Sequence, residues 1–215
     1  MLDEALAWAA SGQLGPIATG QIFCWSTQAL LAAADFVRAA AWVEAIESSG
    51  IGGIPGDCRV HHAEVLRAFG QHDQARDEAL AARQEIQAID LLHAGITHYE
   101  LGMIHLVRCE LDLAERSFRH ARACGGQSQP GLALLQFARG DSSGAAASIT
   151  AALDGQCHDE LRRVPLLSAA LQIAVAVGHH EEAARHVREL EDIAGRFGIA
   201  GLVGSSRQAD TNGSH

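Results

Sequence analysis

The feature that most restricts the fold of this chain is a short phrase that recurs five times along it. Each copy consists of a turn residue, a few mostly polar residues and an alanine that restarts an apolar helical face. The copies run from Ala34 to Ala39, Gly70 to Ala75, Cys109 to Ala114, Gly140 to Ala145 and Gly178 to Ala183. The closing alanines are therefore 36, 39, 31 and 38 residues apart. A period of this length predicts helix–turn–helix units that stack on one another.

The third copy carries the most specific pattern. It resembles the tetratricopeptide pattern L-G-x-x-Y…A-x-x-x-F-x-x-A, with His105 at the tyrosine position. The matching residues are Leu101, Gly102, Ala114, Phe118 and Ala121. Small side chains at such positions let two helices approach closely, and Phe118 would fill the gap between consecutive pairs. The resemblance implies a right-handed α-solenoid of about five tetratricopeptide-like helix pairs; a generic alanine-rich bundle with similar turns is the alternative.

Composition supports an all-α fold, because 48% of the residues are hydrophobic and only 5% are aromatic. Alanine-rich and leucine-rich chains suit close-packed helices better than sheets. We expect one solenoid domain over residues 1–200 that begins mid-repeat, followed by a polar, disordered tail over 201–215. The predicted helices are 2–10, 20–33, 36–48, 57–69, 72–88, 91–107, 111–123, 130–138, 142–153, 162–176 and 180–197.

The charge balance limits the kinds of partner that we expect the chain to bind. The chain has 26 acidic and 16 basic residues, a formal net charge of −10, and every basic residue is arginine. An acidic surface repels phosphate backbones, so we expect no direct binding of nucleic acid. No apolar run is long enough for a membrane helix and no basic leader is present, so the sequence predicts a cytoplasmic protein without membrane contact.

Cysteine and histidine spacing argues against metal or covalent chemistry. The five cysteines are scattered without a C-x-x-C pair, which predicts neither a disulfide framework nor a zinc site. His98 and His105 lie two helical turns apart, about 10 Å along an axis that rises about 1.5 Å per residue, too far for one ion to bridge. We therefore predict no metal, no cofactor and no catalytic residue.

Two longer sequence segments carry a family resemblance. Residues 53–67 read GIPGDCRVHHAEVLR and residues 129–135 read QPGLALL. Both resemble the helical-repeat region of actinobacterial LuxR-type transcriptional regulators, over roughly residues 20–200. The resemblance implies a sensor and scaffold region that lies between an ATPase and a helix-turn-helix. Without lysine there is no G-x-x-x-x-G-K-[ST] phosphate loop, and no helix-turn-helix follows residue 200, so those activities are not expected here.

In tetratricopeptide stacks the first helix of each pair lines a concave groove. Counting along the repeats predicts that a mixed polar patch with an aromatic edge lies there, able to hold a peptide terminus, a sugar or a small anion. The predicted groove residues are Gln28, Arg59, Glu64, Arg67, Tyr99 and Met103. The alternative is that Glu64 and Arg67, three residues apart on one helix, form an ordinary surface ion pair.

The three tryptophans, Trp8, Trp25 and Trp42, are 17 residues apart near the N-terminus. Because exposed aromatic patches often mark interfaces, we predict a contact face for a partner protein or for a second copy of the chain. The alternative is that all three pack among neighbouring helices.

The function expected from these patterns is a non-catalytic, tetratricopeptide-like protein-interaction or scaffold module related to a transcriptional regulator. Its partner would be a protein, a peptide or a small effector. The alternative is the effector-sensing domain of a LuxR-type regulator, and an enzyme of unknown type comes third.

Overall fold

The computed structural model describes residues 2–11, 13–48, 56–86, 91–155 and 159–198, and these residues form eleven α-helices. The all-α prediction is confirmed, and the predicted helix ends are correct to within a few residues. The helices are α1 (Leu2–Ala10), α2 (Pro16–Ala32), α3 (Phe36–Ser48), α4 (Gly56–Ala68), α5 (His72–Ile86), α6 (Leu91–Val107), α7 (Leu111–Ala123), α8 (Gly131–Ala138), α9 (Ser142–Gly155), α10 (Glu160–Ala176) and α11 (His180–Phe197).

The recurring phrase marks one type of turn. Its first residue has a positive φ in all five copies: Ala34, Gly70, Cys109, Gly140 and Gly178. In the last four copies, the N–H of the next residue donates to a carbonyl five positions back, as Gln71 does to Leu66 over 2.9 Å. This left-handed cap satisfies carbonyls that the end of a helix leaves open. The repeat signal in the sequence is therefore mainly a turn signal.

Helices that follow one another along the chain pack together. Direct packing joins α4 with α5, α6 with α7, α8 with α9, and α10 with α11, and each pair meets the next within its own unit through α5–α6 or α9–α10. Alternate helices also meet, α4 with α6 and α8 with α10. Contact between the first helices of consecutive pairs is what allows them to share one surface.

The chain groups into two compact units. The first draws on Met1–Leu31 and Phe36–Gln127, and the second on Ala32–Asp35 and Ser128–His215. The single domain over residues 1–200 stays a prediction, and the predicted tail at 201–215 lies outside the described residues. Within the described chain, no helix has the length and apolar character that a bilayer crossing requires.

Close packing around the third copy follows the sequence pattern. Phe118 is fully buried, and a Cβ built on Gly102 would clash with its ring. Only glycine at that position lets α6 approach the phenylalanine on α7 so closely. The second unit has a wholly apolar core in its described part, centred on Ile149, Val164 and Leu167.

Candidate functional site

A groove in the first unit is lined by alternate helices. We call it the α2/α4/α6 groove, although the end of α5 also contributes. Its volume is about 90 Å³. Its lining residues are Cys24, Trp25 and Gln28 from α2, Val60 and His61 from α4, Ile86 from α5, and His93 and Ile96 from α6. The sequence-predicted groove residue Gln28 and the predicted interface residue Trp25 therefore lie together.

The three tryptophans have different environments. Trp25 is 66% exposed at the α2/α4/α6 groove, and Trp8 is 58% exposed on α1. Trp42 is instead 1% exposed and packs edge-on against Phe23, with ring centroids 5.5 Å apart. The prediction that all three form one contact face needs correction for Trp42, because its side chain is part of the core formed by α2 and α3.

Arg67, a predicted groove residue, pairs with a carboxylate on a neighbouring helix. Its Nε donates to Glu100 Oε1 over 2.6 Å, and its Nη2 donates to Oε2 over 3.3 Å. Glu64 is a more distant partner at 3.9 Å. The alternative of a Glu64–Arg67 surface pair is incomplete, since the main partner of Arg67 is a buried carboxylate on α6. This two-point pairing joins α4 to α6.

The pair has shifted protonation equilibria. Burial raises the pKa of Glu100 to about 7, against the opposing effect of the Arg67 guanidinium. Burial also tends to lower the pKa of Arg67, but the Glu100 carboxylate outweighs this and raises it above the ordinary value. A guanidinium that stays protonated keeps the buried carboxylate partnered.

Two of the three remaining predicted groove residues make contacts between helices. Arg59 pairs with two carboxylates of α5, its Nη1 with Glu78 over 2.8 Å and its Nε with Glu85 over 3.1 Å. The half-buried Tyr99 packs its ring on Phe118, with centroids 5.7 Å apart. Met103 is half-buried on α6. None of these three lines the α2/α4/α6 groove.

A second cleft of about 310 Å³ lies on α5, α6 and α7, and we call it the basic cleft. Its lining residues are Arg83, His98, His105, Leu113, Arg116, Ser117 and His120. The imidazole rings of His98 and His120 lie 5.1 Å apart, tilted by 33°. Nδ1 of His105 lies 2.6 Å from Glu110 Oε2, so that carboxylate orients the ring.

Sequence reasoning missed both Glu100 and the basic cleft. Glu100 is the single acidic residue of α6, in the otherwise apolar stretch LLHAGITHYELGMIHLV, and that isolation was the available signal. Spacing along one helix does not reveal the basic cleft, because α6 supplies His98 and His105 while α7 supplies His120 and Arg116. In the described part of the chain, no group of three or more histidine, cysteine or acidic side chains could hold a metal ion.

The comparisons with known proteins add no assignment. Neither a protein-family model nor a curated protein sequence matches the chain.

Proposed function

We propose that this protein is a non-catalytic, tetratricopeptide-like binding module that holds an extended peptide segment of a partner protein in the α2/α4/α6 groove. The observation that carries the proposal is the exposed Trp25, at a groove built from alternate helices. A tryptophan that is largely uncovered in the free protein is the residue type most often found as an interface anchor. In this proposal the helix pairs belong to one right-handed α-solenoid.

The size of the α2/α4/α6 groove favours a peptide over a metabolite. Sites for small molecules usually measure roughly 300–1,000 Å³, whereas this groove measures about 90 Å³. Such a space takes a side chain, with the rest of the ligand lying across the surface. The apolar lining residues Val60, Ile86 and Ile96 favour an apolar side chain in that position.

The charge of the chain favours a basic peptide. A formal net charge of −10 produces a negative potential that attracts arginine-rich or lysine-rich segments and raises their association rate. The proposed partner segment therefore combines one apolar anchor with flanking basic residues.

The sequence resemblance to LuxR-type regulators supports a scaffold or sensor role of the same kind. An enzymatic role has less support. Because the Arg67 guanidinium already bonds both oxygens of Glu100, we assign the shifted pKa of that carboxyl to packing rather than to catalysis.

The test is selection from a display library of short linear peptides, followed by fluorescence anisotropy with the enriched sequences. We expect the enriched peptides to share an apolar residue beside arginine or lysine. Trp25→Ala should weaken their binding at least about tenfold, equivalent to about 1.4 kcal/mol.

Trp8→Ala is the matched control, because it removes an equally exposed tryptophan that does not line the α2/α4/α6 groove. It should leave the affinity within about twofold of the wild-type value. Equal losses in the two variants, or an enrichment without any shared sequence, would contradict the proposal. Concentration-dependent dimerisation abolished by Trp25→Ala would also overturn it, since the occupant would then be a second copy of the chain.

A further inference from the structure

The lining of the basic cleft has the opposite charge balance to the chain as a whole. Two arginines and three histidines line it, and none of the described lining residues is acidic, although the whole chain carries a net charge of −10. Burial, together with unfavourable electrostatic interactions with His120 and Arg83, lowers the pKa of His98. A ligand that brings negative charge would relieve the repulsion among these groups.

We propose that the basic cleft binds a small metabolite that carries a phosphate group. Arg83 and Arg116 offer planar guanidinium groups that match phosphate oxygens, and the Ser117 hydroxyl offers a further donor. His98 and His120 lie near enough to each other that one anion could contact both rings. Arginine, serine and histidine from three helices thus converge on one space.

The remainder of the ligand is compact and hydroxylated. The His105 ring is oriented by Glu110 through Nδ1, which leaves Nε2 as its second hydrogen-bonding nitrogen for a ligand hydroxyl. Leu113 is the only apolar side chain of the described lining, and no phenylalanine, tyrosine or tryptophan is there to stack on a nucleobase. A volume of about 310 Å³ suits a sugar phosphate or polyol phosphate.

This inference goes beyond peptide binding and uses none of the residues that line the α2/α4/α6 groove. Trp25→Ala should therefore leave phosphate binding unchanged, and the two proposals can fail separately.

The test follows the imidazole resonances of His98 and His120 by NMR in the full chain. Inorganic phosphate, glycerol 3-phosphate and glycerol are titrated at constant ionic strength, with chloride as the reference anion. Both phosphates should produce saturable shifts of the two histidines, and glycerol should produce none. Arg116→Gln should weaken the binding of glycerol 3-phosphate at least about tenfold, because a charged hydrogen-bond donor is lost.

Arg119→Gln is the matched control on the same helix. It removes the same charge from an arginine that pairs with Glu115 and does not line the basic cleft. We expect its affinity to stay within about twofold of wild type, with circular dichroism confirming that both variants fold. Equal weakening by the two variants, no saturable shift, or phosphate binding that Arg116→Gln leaves intact would overturn the proposal.

Discussion

The interiors of the two units differ in chemistry. The described part of the first unit has six polar residues that are buried as a whole, Thr19, Ser26, Thr27, His61, Thr97 and Glu100, whereas the described part of the second has none and buries only single polar atoms, such as Gln136 Oε1, within partly exposed residues. Burying a polar group destabilises a fold unless a partner satisfies it. The second unit follows the simple rule of an apolar core. The first departs from that rule, and one of its buried polar residues, His61, lines the α2/α4/α6 groove, where a departure connected with function is expected.

The largest expected effect tests the polar interior directly. Glu100→Leu leaves the Arg67 guanidinium buried without its main carboxylate, and the unfolding free energy should fall by about 3–5 kcal/mol. The double variant Arg67→Met/Glu100→Leu removes both charges and should recover most of that loss. Urea unfolding followed by tryptophan fluorescence is the measurement, because all three tryptophans lie in the first unit.

Two results would contradict this prediction. A Glu100→Leu variant as stable as the wild-type chain would show that Arg67 finds solvent or Glu64 at no cost. A double variant no more stable than the single one would show that the packing volume matters, and not the charge.

A smaller effect on stability is expected when one glycine in each unit is replaced by alanine. Gly102→Ala places a Cβ against the Phe118 ring in the first unit and should destabilise the chain by about 1–3 kcal/mol. Gly195→Ala is the control on α11 of the second unit, where nothing lies within 4 Å of the added carbon. That change should stabilise the chain by about 0.5–1 kcal/mol. Thermal unfolding of both variants by circular dichroism measures the difference, and effects of the same sign would contradict the packing described for α6 and α7.

The smallest effect concerns two partly buried histidines. Burial lowers the pKa of His98 in the first unit and of His186 in the second, and positive neighbours lower that of His98 further. Arg83→Gln removes one such neighbour, so the pKa of His98 should rise but stay below 6.5, while that of His186 should not change. NMR titration of the imidazole signals provides the measurement.

The sign of the stability effect follows from the same shifts. A folded pKa below the unfolded value means that the unfolded chain binds more protons in that interval. Each histidine therefore contributes stability that is present above about pH 6.5 and is lost as the pH falls through the lowered folded value. Unchanged titration of His98 in Arg83→Gln would contradict the electrostatic account of the basic cleft.

The sequence was most informative about local structure. The recurring glycines Gly70, Gly140 and Gly178 indicated where helices end, because a left-handed turn needs particular residues at a particular place. The contact between Gly102 and Phe118 could be predicted for a similar reason, since close packing restricts side-chain size at fixed spacing.

Contacts between residues that are far apart in the sequence could not be predicted from it. Glu100 pairs with Arg67 across 33 residues, whereas spacing along one helix indicates only Glu64 as a partner. A spacing of 17 residues could not reveal that Trp42 points into the core while Trp25 stays exposed. In each case the deciding information is which faces of two separate helices meet, and spacing along one helix does not contain it.

The most direct test of the central claim is hydrogen exchange of the full chain with and without a peptide selected by display. The account predicts protection of α2, α4 and α6 around Trp25, His61 and Ile96, with the amides of α8 to α11 unchanged. Protection confined to α8–α11, or none under saturating peptide, would contradict the assignment of binding to the first unit.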